Sequence, residues 1–256
     1  MSDPKDKKSN SDELKFALFK RLDQIERINV QPQRKIAIFA TPRSGSSFFC
    51  NSLSKTLSIG EPLEFFNMRF LEAYAAYFKK PDFKFTDYVD FIYTKTTSES
   101  GIFSVKILID QYLYFLKEKK FDLLSLNFDN IILVSRDDKI AQSYSYAKAL
   151  RTDQWSSLIK TSVNFHPDDI KNSFILECLQ KITFWEDYFD SHLSHKINSK
   201  YKYEDFSKQK NFPFEVLKDL KIDISSINKS KPDLQPQTNQ NDLSRIKEFR
   251  KWLKSL

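Results

Sequence analysis

The sequence predicts an α/β fold, a single domain with a central, mostly parallel sheet flanked by helices. Three observations lead to it. Apolar runs of strand length at residues 35–40, 102–107 and 131–135 stand between stretches with helical spacing. The first and third pass straight into a polar loop and then a helical stretch, the order that crossover connections use. A chain of 256 residues, 40% hydrophobic and 29% charged, is apolar enough for one sizeable core and excludes disorder of the whole.

Taken in order, residues 1–10 (MSDPKDKKSN) read as a disordered lead without the apolar core of a secretory signal. An N-terminal helix is expected over 11–30: Asn10 caps, Glu13 follows in capping-box position, and Leu14, Leu18, Leu22 and Ile25 share one face. Gln31-Pro32-Gln33 closes that unit, and the main domain spans 35–256. Lys35 to Ala40 suits a buried strand. Beyond it, Phe48, Phe49, Leu53 and Leu57 read as the apolar side of a helix that Gly60 stops. Gly101 makes the turn before a strand from Ile102 to Ile107. The strand Ile131 to Ser135 runs through Arg136-Asp137-Asp138-Lys139 into a helix that lasts to Leu150. A fourth strand is expected around Lys196-Ile197, a polar loop over 229–242, and an amphipathic helix from Leu243.

Composition removes several function classes. Only Gly45, Gly60 and Gly101 occur, where average usage would give about 18 glycines, and their spacing matches neither a dinucleotide fingerprint nor a nucleoside-triphosphate loop. Net charge is +7, yet basic residues alternate with acidic ones, as in RDDK at 136–139 and KYKYEDF at 200–206. That is a solvated surface, which argues against nucleic acid and leaves room for a small polyanion at a local cluster. Cys50 and Cys178 are too few for a disulfide framework and read as small core residues in a reducing, cytoplasmic setting. His166, His192 and His195 lack the spacing of metal ligands, and no apolar run is long enough to cross a membrane.

One segment concentrates the chemistry. Thr41-Pro42-Arg43-Ser44-Gly45-Ser46-Ser47 joins the first strand to a helix, where unpaired N–H groups and the positive end of the helix dipole favour an anion. Gly45 lets the backbone approach, the hydroxyls donate, and Arg43 presents a charged fork suited to phosphate or sulfate. A serine-rich N-cap loop is the plainer reading of the same residues.

TPRSGSS after a hydrophobic strand resembles the loop that holds the 5′-phosphosulfate in sulfotransferases using 3′-phosphoadenosine 5′-phosphosulfate (PAPS). The closer likeness is to the bacterial trehalose 2-sulfotransferase-like family. It is carried also by Glu61-Pro62-Leu63-Glu64-Phe65-Phe66-Asn67, by Phe103-Ser104-Val105-Lys106, and by the run from Leu133 through Arg136 and Ser143 to Trp155. The match covers 35–252 and leaves the N-terminal helix outside.

The resemblance implies a P-loop-like sulfotransferase fold, PAPS as sulfuryl donor without a metal, a carbohydrate or glycolipid hydroxyl as acceptor, and a homodimer. It implies nucleotide contacts from Thr41, Pro42, Arg43, Ser44, Gly45, Ser46, Ser47, Arg136, Ser143 and Gln237, with Arg136 and Ser143 at the 3′-phosphate. In-line transfer needs a cation at the leaving oxygen, for which Arg43 is the candidate, and a base for the acceptor hydroxyl. Glu64 aligns with the family's glutamate base, and its apolar neighbours Leu63, Phe65 and Phe66 predict a raised pKa. Glu61 is the rival carboxylate. Lys106 matches the family's Phe-x-x-Lys and is expected at the sulfate or the acceptor. Pro236 stands where family members often carry a basic residue, which Lys231 would replace. Acceptor specificity is expected among the aromatics of 65–97 and near 155–175, with Trp155 at the pocket edge. A nucleotide-binding protein without turnover, a kinase with a degenerate loop and an α/β interaction protein remain open on sequence alone.

Overall fold

Strand β1 (Arg34–Ala40) occupies the middle of the sheet because it is apolar on both faces. The computed structural model describes residues 10–25, 31–157, 163–224 and 238–256. Within them the order is α1 (Asn10–Asp23), β1, α2 (Ser46–Ser54), α3 (Met68–Phe78), α4 (Phe85–Thr96), β2 (Ile102–Leu108), α5 (Ile109–Lys117), β3 (Asn130–Ser135), α6 (Lys139–Thr152), α7 (Asn172–His192), β4 (Ser199–Lys202), α8 (Tyr203–Phe206), α9 (Phe212–Asp219) and α10 (Gln240–Leu253). The sheet runs β2-β1-β3-β4 and every pairing is parallel. The α/β class with helices on a parallel sheet is therefore as expected.

Side chains alternate across β1, so the sheet separates two cores. Ala37 and Phe39 face one side, with Phe103, Val105 and Ile107 of β2 and the apolar faces of α1, α3, α4 and α5. Ile36, Ile38 and Ala40 face the other, with Ile132 and Val134 of β3, Phe49 and Leu53 of α2, and Val216 and Leu217 of α9. A third cluster joins α6, α7 and α10.

Several elements depart from the sequence reading. The buried side of α1 is Leu18, Phe19 and Leu22, while Leu14 is exposed. Helix α2 ends at Ser54, so Leu57, with φ of 61°, turns outward and is 70% exposed. Gly60 is no helix stop: with φ of 75°, a Cβ there would lie 2.3 Å from the Thr96 carbonyl oxygen at the end of α4. Only glycine permits that approach. Lys196 ends a 3-10 turn that Ile197 follows, and the fourth strand begins two residues later as β4.

Of the aromatics of 65–97, Phe70 lines the large cleft beyond the strand ends and the others do not. Phe65, Phe66, Tyr74, Tyr88 and Tyr93 are core residues, with Tyr74 and Tyr88 edge-on at 5.0 Å. Rings at helical spacing fill the space between α1, α3 and α4, where burial of that much apolar area outweighs any surface role.

Phe49 and Leu57 looked equivalent in sequence and are not in the fold. Phe49→Ala should cost about 3–5 kcal/mol and Leu57→Ala less than about 0.5 kcal/mol in urea denaturation. Similar losses would contradict this placement.

Candidate active site

A parallel sheet gathers its strand ends of one kind at one edge. Ala40 sits opposite both Leu108 and Val134, so the segments that follow β1, β2 and β3 emerge together. The chain leaves β1 towards β2 and leaves β3 towards β4, in opposite directions, which opens a crevice between β1 and β3. There a cleft of about 1220 Å³ is lined by residues from all four strand ends.

The segment 41–47 forms its floor. Gly45 caps α2 in the left-handed region, with φ of 86°, and a Cβ there would lie 2.3 Å from the Tyr203 ring. Arg43 is also left-handed, with φ of 63°. Its side chain donates from Nε to Ser145 Oγ at 2.9 Å and from Nη1 to the Trp155 carbonyl at 2.5 Å. Burial and then the charge of Arg136 pull its pKa down to about 10, which leaves it cationic at neutral pH. Gln142 Nε2 donates to Thr41 Oγ1 at 2.9 Å and to the Pro42 carbonyl at 2.8 Å, tying the loop to α6. Arg43, Gly45, Ser46 and Ser47 line the cleft. Thr41 and Ser44 are buried beneath it, and Ser44 Oγ has no hydrogen-bond partner.

On the β2 side, Lys106 is the centre of a compact cluster. Its ammonium, on a side chain only 7% exposed, donates to Ser47 Oγ at 2.8 Å and pairs with Glu64 Oε1 at 2.8 Å. Glu64 Oε2 accepts from Gln111 Nε2 at 2.7 Å and from Asn67 Nδ2 at 3.2 Å. Burial pushes the Glu64 carboxyl up, but the Lys106 charge and these hydrogen bonds prevail and hold it below the ordinary carboxylate value. The expected upward shift is thus reversed, because Lys106, Gln111 and Asn67 together outweigh the desolvation that burial still imposes. Glu61 is engaged elsewhere, with both oxygens on the Arg21 guanidinium at 3.0 and 2.6 Å. Asp110 and Gln111, which the sequence reading did not single out, open α5 on the same wall.

On the β3 side, Arg136 avoids the neighbouring carboxylates. Asp137 pairs with Lys202 at 3.1 Å and Asp138 with Arg250 at 2.5 Å. The Arg136 guanidinium lies over the Tyr203 ring, 4.9 Å from its centre, and its buried Nε has no hydrogen-bond acceptor. Glu204 Oε1 is 4.0 Å from that Nε, but Glu204 already accepts from the backbone N–H groups of Asp137 and Asp138. Tyr203 and Glu204 come from the KYKYEDF stretch that looked like plain surface. Ser143 does not line the cleft: it is buried on α6 and its hydroxyl donates to the Ile140 carbonyl at 2.9 Å. Trp155 lines the cleft edge and donates from Nε1 to Asp153 at 2.8 Å. Gln237, Pro236 and Lys231 lie outside the described residues.

Among the described residues no group of three His, Cys, Asp or Glu side chains could hold a metal ion, and no helix is long and apolar enough to cross a membrane. The two thiols are buried and their pKa values raised by desolvation, Cys50 to about 12 and Cys178 to about 11.

No curated protein matches the chain. The model of the Stf0 sulphotransferase family matches residues 36–252, which takes in the cleft lining apart from Lys15 and leaves α1 outside. With that match over most of its length, and with an anion-suited loop at the head of its central crevice, the chain belongs to the Stf0 sulphotransferase family, the trehalose 2-sulfotransferase family, and is a sulfotransferase.

Proposed function

We propose that this enzyme transfers the sulfuryl group of PAPS to a hydroxyl of a carbohydrate or glycolipid, with Glu64 as the base. The observation that carries the reading is the Glu64–Lys106–Ser47 chain, which links a carboxylate to the anion-suited loop through one buried ammonium. The nucleotide also fits the residues present. Arg136, on the cleft wall, has a buried Nε donor without an acceptor, and a phosphate oxygen would supply it.

In this reading the 5′ end of the nucleotide lies on the N–H groups that open α2, within reach of Arg43 and Ser47. Arg136 takes the 3′-phosphate, braced by Tyr203; Ser143, its hydroxyl committed within α6, lies behind that contact rather than in it. PAPS supplies the sulfuryl group and a leaving phosphate. The acceptor oxygen forms a bond to sulfur as the bond to the bridging oxygen breaks, and the hydroxyl proton passes to Glu64. Arg43 stabilises the charge that collects on the bridging oxygen. Lys106 has a double task. Drawn towards an anion beside Ser47, its ammonium relinquishes Glu64, whose carboxylate then becomes the stronger base. The two buried thiols suit a reducing, cytoplasmic setting.

Three outcomes test this. The product nucleotide, 3′-phosphoadenosine 5′-phosphate (PAP), should stabilise the protein by about 2.7 kcal/mol at a hundredfold excess over its dissociation constant, and ATP with magnesium by much less. Equal shifts in a thermal melt would sink the reading. Arg136→Ala should weaken PAP binding by about tenfold or more in calorimetry, because a charge-assisted contact is lost, with an unchanged melting point without ligand. Glu64→Gln should keep PAP affinity and lose about 10²–10⁴ in kcat; full turnover in labelled-sulfate transfer would move the base elsewhere.

A further inference from the structure

We propose that Asp110 determines acceptor specificity, its carboxylate accepting a hydrogen bond from a second acceptor hydroxyl beside the one that Glu64 receives. The proposal rests on the carbohydrate-acceptor reading above and adds the feature the acceptor must have, two hydroxyls within reach of one wall.

Placement comes first. Asp110 is the second residue of α5, directly beyond β2, and lines the cleft. The next residue, Gln111, is the one that holds Glu64 at 2.7 Å, so a single helical turn presents one carboxylate and orients the other. The hydrogen-bond inventory of the two acids is unequal. Glu64 has Lys106, Gln111 and Asn67. Asp110 Oδ1 is shielded from water and accepts no hydrogen bond.

A carboxylate oxygen stripped of water and left without a donor carries the full cost of its lost hydration. A ligand hydroxyl in the cleft removes that cost. Burial and the nearby Glu64 charge push the Asp110 carboxyl up to about 6, although the backbone N–H groups at the start of α5 favour its ionised form. Those N–H groups account for a capping role of the carboxyl, but they leave Oδ1 unserved. Lys106, the cation nearest in the chain, is committed to Glu64 and Ser47, and the Tyr146 hydroxyl, which feels the Asp110 charge, makes no bond to Oδ1, so a ligand hydroxyl can supply the missing donor. A neutral hydroxyl suits the site and an anionic group does not, because Glu64 already places negative charge beside it.

The experiment uses the full chain saturated with PAP and titrated calorimetrically with α,α-trehalose, glucose and myo-inositol. Wild type should bind at least one of them. Asp110→Ala should weaken that binding about tenfold or more while PAP affinity stays within about twofold, and Asp110→Asn, which keeps a carbonyl acceptor, should lose less. In turnover with PAPS, KM for that polyol should rise while kcat stays within about threefold, a split that a merely structural role would not produce. Unchanged polyol affinity in Asp110→Ala, or no polyol binding to PAP-saturated wild type, overturns the proposal and leaves the nucleotide reading in place. Failure of PAP itself to bind overturns both.

Discussion

Burying a lysine ammonium requires partners that are themselves held in place, and Lys106 meets that requirement with residues from two other segments. Its position on β2 is set by the register with β1, which puts Lys106 opposite Ile38 and close to the loop that follows Ala40. Ser47 reaches it from the start of α2, and Glu64 from the connection that leads to α3. Leu63 accepts the Lys106 backbone N–H at 3.0 Å, so the Glu64 segment lies along the free edge of β2 almost as an extra strand. The cluster therefore joins the anion-suited loop, the central sheet and the acidic wall in one unit.

The rest of the cleft follows from the same sheet. Parallel strands bring the residues after β1, β2 and β3 to a common edge, and the connections that leave β1 and β3 in opposite directions keep the crevice open. Charge is divided along it. Arg43 and Arg136 are near enough for each to oppose the other's charge, an arrangement with a cost that a bound polyanion would offset. At the opposite wall the Glu64 charge raises the Asp110 carboxyl, while Lys106 holds Glu64 ionised. One end of the cleft thus holds an unserved donor, Arg136 Nε, and the other an unserved acceptor, Asp110 Oδ1.

Helix α1 has a different status from the rest. It lies outside the family match, yet Phe19 and Leu22 are in the same core as Ala37 and Phe39, and Arg21 holds Glu61 three residues before the proposed base. The helix braces the segment that carries Glu64, and it does so by removing the competing carboxylate from the cleft.

What was legible in the sequence was local. Apolar runs marked β1, β2 and β3 to within a residue or two, because strands buried on both faces must be apolar throughout. The loop 41–47 declared itself because glycine, hydroxyls and an arginine between a strand and a helix have few other uses. The misplaced fourth strand is a short edge strand of alternating exposure, with little apolar signal to read. The Glu64 pKa, the buried Ser143, the aromatics of 65–97 and the service of Tyr203 and Glu204 to Arg136 depended on which residues meet across the fold. Side-chain composition alone determined that an anion-suited junction exists; only tertiary contacts decided its ionisation and its neighbours, since a charge is set by the groups within a few ångströms and those come from distant parts of the chain.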